Sequence, residues 1–347
     1  MTAVRLHLIP DFINFLLIMA NSSESQNNSL SLSDGNIDLT STGGVNFWFD
    51  KGFTWVVYLF AGITVAILFV MTYVIFQQAE PAIDEFGLGF LWGQDWDTGN
   101  QIFGALPYIY GTLVSSAIAI ILTIPVGISV ALVTSEDFLP NPLKTTIAFI
   151  IELIAAIPSV IIGLWGIFIF IPFITPIEKW LGSTFGFIPL FNTQDPAGNN
   201  MLTAGIVLAI MTLPAMAAIS RDVLMVIPKE LRSSSMALGG TRWETVFRVL
   251  LPAAFSGIVS ATMLSLGRAL GETMAVTMLI GNSAQISISL LDPAYNIPAV
   301  LANEFAEAEP GLHIGALSYL GLILFALTLA INIAAVLIVE WVGKKNR

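Results

Sequence analysis

Six apolar runs, at about 53–76, 108–133, 147–174, 203–227, 253–280 and 314–340, decide what this chain can fold into. Each reaches the roughly 20 residues that a helix needs to cross hydrocarbon. Barrel strands would be about ten residues long with alternating polarity, whereas these runs are unbroken and rich in glycine and helix-favouring apolar residues. The expected fold class is an all-α membrane protein with six transmembrane helices. Composition agrees: 56% of the 347 residues are hydrophobic and only 11% charged, against about 25% charged in a soluble domain. Residues 12–20, FINFLLIMA, are apolar but too short to span. With Arg5 and Pro10 they loosely suggest a signal peptide, yet no small-residue cleavage site follows, and an over-long start of translation is an alternative. The stretch 21–44 is dominated by Asn, Ser, Thr, Gly and Asp. Residues 1–50 are therefore expected as a mostly disordered tail ahead of a membrane domain at 51–347.

The positive residues orient the bundle. With the N-terminus inside, eleven of the thirteen Lys and Arg fall on inner segments, Lys179 falls on an outer one, and Arg268 lies within the membrane. Both termini are expected in the cytoplasm. The outer loops are assigned Glu80, Asp84, Glu85, Asp95, Asp97, Glu178, Asp195, Asp292, Glu304, Glu307 and Glu309, so the external face is acidic. Such a face does not attract an anion from a distance, and an anionic cargo would need delivery. No feature points to nucleic acid. With no cysteine and two histidines far apart, His7 and His313, neither a disulfide framework nor a metal site is expected.

Within the fifth run, GRALGETMAV (267–276) carries two charges, Arg268 and Glu272. Four residues apart, they would share one face of a helix. Either charge alone at a bilayer centre costs about 2.5–3.5 kcal/mol on insertion scales, so such residues normally face a bundle interior or a watery path. Arg268, Glu272 and the adjoining Thr273 are the candidate pathway residues. Glu272 would hold Arg268 when no solute is bound, or the two form a fixed polar joint between helices. Glu152, before Pro158 in the third run, is read as reaching to the interface. Pro125, Pro158 and Pro214 read as kinks, and Gly163, Gly166, Gly267 and Gly271 as points of close helix approach. Phe86, Phe90, Trp92 and Trp96 read as an interfacial belt or part of a docking surface.

The longest inner segment, RDVLMVIPKELRSSSMALGGTRWETVFRVLLPAA (221–254), has its own punctuation. Pro228 and Glu230 suit the first turn of a helix, and Gly239-Gly240 can end it with left-handed backbone. Thr241, with Glu244 three residues on, predicts a capping box that starts a second helix. Leu231, Met236, Leu238, Trp243, Val246, Phe247 and Leu250 give this segment an apolar face. It either docks in a partner's groove or lies on the anionic inner leaflet.

This segment resembles the coupling motif of ABC-importer permeases: Glu-Ala-Ala, three residues, Gly, nine residues, Ile, one residue, Leu-Pro. Here it falls on Ser233-Ser234-Ser235, Gly239, Val249 and Leu251-Pro252; serines replace the Glu-Ala-Ala triplet and valine the isoleucine. Three longer stretches are similar to the phosphate-transport permeases, and to the PstC type among them. They are YIYGTLVSSAIAIILTIPVGISVAL (108–132), IELIAAIPSVIIGLWGIFIFIP (151–172) and LGRALGETMAVTMLIGN (266–282). The companion PstA type shares the R-A-x-G-E-T core but differs in the residues after it. The resemblance implies a MetI-like Type I importer bundle in the bacterial inner membrane. It implies as partners a second permease of PstA type, a pair of PstB-type ATPases and an external phosphate-binding protein that delivers phosphate. The coupling loop, including Thr241 and Glu244, would insert into a cleft of the ATPase. No Walker-type phosphate loop occurs in the sequence, so ATP and Mg are expected on the ATPase, with no cofactor and no catalytic residue on this chain. Rival readings are a permease for phosphonate, sulfate or molybdate, an ion-coupled secondary transporter, and an intramembrane enzyme. The last lacks a nucleophile–base pair near the charges.

Overall fold

The structure is a computed structural model that describes residues 45–193 and 195–345. Six helical segments among them are long and apolar enough to cross a membrane: 51–91, 106–135, 159–185, 201–226, 242–271 and 312–337. The expected tail at 1–44 lies outside the described residues. Helix α1 (Val45–Phe86) starts earlier than expected, so 45–50 are helix and not tail. The chain divides into two compact units between Ala66 and Ile67, within α1. In the first, the Thr64 hydroxyl donates back to Phe60 O at 2.9 Å, as a β-branched hydroxyl does in a helix with no other partner. The five crossings after α1 belong to the second unit.

Helix α2 (Leu106–Ser135) and helix α6 (Met201–Val226) form the central pair of that second unit. Small residues let them meet closely: a Cβ on Gly127 would stand 2.5 Å from Met216 Cγ, and one on Gly205 2.6 Å from Ile118 Cγ2. Between these points the hydroxyls of Thr123 and Thr212 share a hydrogen bond of 2.9 Å. Small residues and buried hydroxyl pairs are the usual means of helix association where burial of apolar surface gives no drive. The α6 window is the most enclosed of the six, 61% buried.

Two of the expected spans are not single helices. In the third run, α3 (Asn141–Ala156) ends at Ile157, whose ψ is 125°, and Pro158 precedes α4 (Ser159–Trp165). Proline disfavours helical backbone in the residue before it, and its ring lacks the N–H a helix interior needs. The crossing segment is therefore 159–185 and not 147–174. Glu152 lies on the separate α3, exposed. A π-helical turn (Gly166–Phe170) then leads into α5 (Ile171–Phe185).

The fifth crossing begins with α7 (Lys229–Ala237) outside it, then α8 (Arg242–Thr245), a second π-helical turn (Val246–Leu250) and α9 (Leu251–Gly271). Each π turn ends two residues before a proline, Pro172 and Pro252. Ile171 N–H reaches Gly166 O and Leu251 N–H reaches Val246 O, both five residues back. The widened turn relieves the clash between each proline ring and the carbonyl four residues before it. Helix α9 stops at Gly271; Glu272 is extended, with ψ 122°, and α10 (Met274–Leu279) comes next. The run 253–280 is thus two helices with a break. A loop then runs to α11 (Ile297–Glu304), and α12 (Leu312–Lys345) closes the unit.

Candidate functional site

Arg268 stands in the last turn of α9, where a cation also answers the negative end of the helix dipole. Its side chain is exposed and lines an open cavity of about 750 Å³ with Ala215, Met263, Gly267, Asn332 and Val336, at the meeting of α6, α9 and α12. The expected pairing with Glu272 is corrected. A continuous helix would have put both on one face, but the chain leaves the helix between them. Glu272 is half-buried beyond the break and does not line that cavity. Among the described residues neither side chain takes part in an ion pair or hydrogen bond. Thr273 spans the break: its hydroxyl donates to Gly271 O at 3.2 Å, and its carbonyl accepts Thr277 N–H at 2.9 Å. A side chain that bonds its own backbone in this way competes with the helix ladder, and Gly271 adds about 1 kcal/mol of helix cost relative to alanine.

The segment from Pro228 to Pro252 folds as its punctuation requires. Gly239 has φ 87°, and nothing lies within 4 Å of a Cβ placed on it, so conformation and not space calls for glycine. The capping box is complete: Thr241 Oγ1 accepts Glu244 N–H, and Glu244 Oε2 accepts Thr241 N–H. Ser233 is exposed and donates to Lys229 O and Glu230 O in its own helix. Ser234 is exposed, and its carbonyl accepts Leu238 N–H. Ser235 shares a hydrogen bond of 2.9 Å with Thr245, which joins α7 to α8. Val249 lies in the π turn, and Leu251-Pro252 opens α9. Leu238 and Trp243 are exposed, at 90% and 61%.

Sequence reasoning missed what holds this segment. Glu136 closes α2, and its carboxylate receives Arg232 of α7 at 2.7 Å. The next residues of that loop are gripped too: Arg242 Nη1 donates to Asp137 O at 3.1 Å, and Phe138 stacks on Trp243 at 5.2 Å. Lys144 donates to Asp137 at 2.8 Å, and this hydrogen bond with the ammonium charge holds the Asp137 carboxyl below its ordinary range. The available signal was a Glu-Asp pair directly after the second run, on the positive side of the bundle.

Two other readings change. Glu178, assigned to the acidic outer surface, is fully buried and accepts from Asn200 Nδ2 at 2.9 Å and Thr203 Oγ1 at 2.8 Å. Trp96 and Phe90 do not join an exposed belt. Phe90 is buried, and Trp96 packs on Phe103 and Tyr108 while its indole N–H donates to Glu304 at 2.9 Å. Trp92 alone of that set is largely exposed. His313 stacks on Phe103 and approaches Glu304 at 3.4 Å, and no group of three metal-ligating side chains occurs among the described residues.

A profile of the family described as "Binding-protein-dependent transport system inner membrane component" matches residues 123–347. The "Phosphate transport system permease protein PstC" of Mesorhizobium japonicum is 44% identical over 261 residues, 74% of this chain and 80% of that protein. The protein of the same description from Pasteurella multocida is 42% identical, over 80% of this chain and 88% of its own length. A "Probable phosphate transport system permease protein PstC" from Methanocaldococcus jannaschii is 35% identical over 75% of this chain and 84% of that protein. Among solved structures, a bacterial ABC transporter involved in the import of the acidic polysaccharide alginate superposes with TM-score 0.56. It shares 17% identity, over 85% of this chain and 98% of that one. The bacterial alginate transporter in complex with its pentasaccharide-bound periplasmic protein gives TM-score 0.53 at 16% identity, over 83% and 95%. At such identities these two structures speak for the fold alone.

Proposed function

Because this chain belongs to the PstC family of binding-protein-dependent phosphate permeases, we infer that it is the membrane-spanning subunit of an ATP-driven phosphate importer. It is a non-catalytic transport subunit of the inner membrane. Its proposed assembly adds a second permease of PstA type, a pair of PstB-type ATPases that carry ATP and Mg, and an external phosphate-binding protein. The excess of Lys and Arg on one set of loops supports cytoplasmic termini. In this reading α7 and α8, with the exposed Leu238 and Trp243, enter a cleft of the ATPase.

The observation that carries the site is the open, unpaired guanidinium of Arg268 three residues before a helix break in an apolar run. Non-helical backbone at membrane depth is tolerated only where protein buries it or water lines it. A lone cation there calls for a counter-charge from outside this chain. Phosphate is a mono- or dianion with several acceptor oxygens, and the planar fork of arginine matches it in charge and geometry. We place Arg268 on the translocation path as a transient phosphate contact, with Glu272 and Thr273 at the break beyond it. Glu272 is not its resting counter-ion. A passing solute meets a cation already free of its own chain.

The test is uptake by the assembled complex. Arg268→Ala is expected to lower phosphate uptake by about two orders of magnitude, as for truncation of one partner of a charge pair at about 2–5 kcal/mol. Arg268→Lys should recover only part, because it keeps the charge and loses the fork. Loss of the complex itself in both variants would make Arg268 a joint to the companion permease.

A further inference from the structure

One side chain ties three helix ends together where the coupling segment meets the bundle. Arg232 sits on α7, and its guanidinium reaches partners on two other helices. Nε donates to both carboxylate oxygens of Glu136 at 3.0 and 3.1 Å, and Nη2 donates to Oε1 at 2.7 Å. Nη2 also reaches Leu224 O at 2.8 Å, and Nη1 reaches Ile227 O at 2.7 Å. Glu136 is the residue that ends α2, and Leu224 and Ile227 are at the end of α6. Both charged side chains are largely enclosed, with 18% and 15% of their surface exposed. The guanidinium therefore fills two needs at once: it satisfies carbonyls that the end of α6 leaves without helix partners, and it neutralises the carboxylate at the end of α2.

We propose that Arg232 and Glu136 are the positioning pair through which movement of α7 reaches the α2–α6 pair. A planar fork fixes direction as well as distance, so α7 cannot shift by an ångström or so without carrying both helix ends or breaking every one of these bonds. Helices α2 and α6 are in close contact at Gly127 and Gly205, well beyond the joint, and a displacement at their shared end moves them as one body. Past Gly239-Gly240 the chain takes a second route. Helix α8 runs through the π turn into α9 without interruption, and α9 carries Arg268. The coupling segment thus has two outputs separated by a glycine hinge. One is the Arg232–Glu136 joint to α2 and α6, and the other is the continuous helix to Arg268. The cavity at Arg268 is lined by Ala215 of α6 and by Met263 of α9, so relative movement of the two outputs changes its width.

This proposal rests on the importer reading, and the readout separates the two. The complete complex is reconstituted with its ATPase and phosphate-binding protein, and the fold-stimulation of ATP hydrolysis by phosphate-loaded binding protein is measured. The variants are Arg232→Ala, Arg232→Lys, Glu136→Ala and the double alanine variant. Each should lower the stimulation ratio at least about fivefold, and the double variant should be no worse than either single one, as for residues of one network. A purely structural role would reduce ATP hydrolysis in proportion to the amount of complex and leave the ratio unchanged. A wild-type ratio in any variant, additive losses in the double variant, or a wild-type complex that shows no stimulation would overturn the proposal. Where the alanine variants fail to assemble, Arg232→Lys carries the test. The importer reading fails on a different result: stimulated ATP hydrolysis by the wild type with no phosphate moved.

Discussion

Glu178 and Arg268 show how differently one membrane protein can treat a charge. Glu178 is sealed at the start of α6, where two neutral donors, Asn200 and Thr203, occupy both its oxygens. Removing the carboxylate leaves those donors buried without an acceptor, at about 1–3 kcal/mol. Glu178→Ala is therefore expected to lower the thermal unfolding midpoint of the purified permease, and Glu178→Gln, which keeps one acceptor, to lower it less. An unchanged midpoint for the alanine variant would contradict this. Arg268 has no such shelter in its own chain. In the sequence Arg268 stood inside an apolar run and Glu178 on an acidic outer loop; the neighbours that bury Glu178 come from another element. Hydropathy placed the third crossing some ten residues early because an apolar run does not register the break at Pro158. That error moved Glu178 out to the surface.

Elements whose signals are local were legible: the capping box at Thr241, the left-handed Gly239 and the helix start after Pro228 all stand as read. Gly239→Ala places a Cβ in open space but forces left-handed backbone on it, at about 1–2 kcal/mol. Uptake should fall with alanine and stay nearer wild type with asparagine, which tolerates that conformation better. Equal uptake for both would show that the hinge does not need this backbone. The two π turns were not legible, because each is set by a proline beyond its end; the break at Glu272 was not, because an apolar run does not register a hydroxyl that bonds its own backbone. If Pro252 causes the second π turn, Pro252→Ala should restore a regular turn. Leu251 N–H would then bond Phe247 O and not Val246 O, and α8 would rotate by about 100° about the helix axis. A structure of that variant with the π turn intact would assign the turn to packing.

At the scale of the whole molecule the count of six crossings was right, but the first runs on to 91 and the third and fifth lie at 159–185 and 242–271. The apolar side chains left uncovered, such as Phe168 and Phe173 at 73% and 66% exposed, suit lipid or a second subunit and not water. The absence of cysteine makes topology directly measurable. A single cysteine at Leu238 should react with an impermeant reagent only from the cytoplasmic side, and one at Phe187 only from outside. The reverse pattern would invert the assignment of both ends. Arg268 stood out by type, since an arginine in an apolar run demands explanation. The partners of Arg232, Glu136 and Glu178 were not, because only the folded chain brings them together. The most direct measurement is phosphate uptake into vesicles that hold this permease with the proposed companion permease and ATPase. Uptake should require both ATP and the external binding protein and should survive collapse of the proton and sodium gradients. Uptake that persists without the ATPase and vanishes with a gradient would contradict the importer reading.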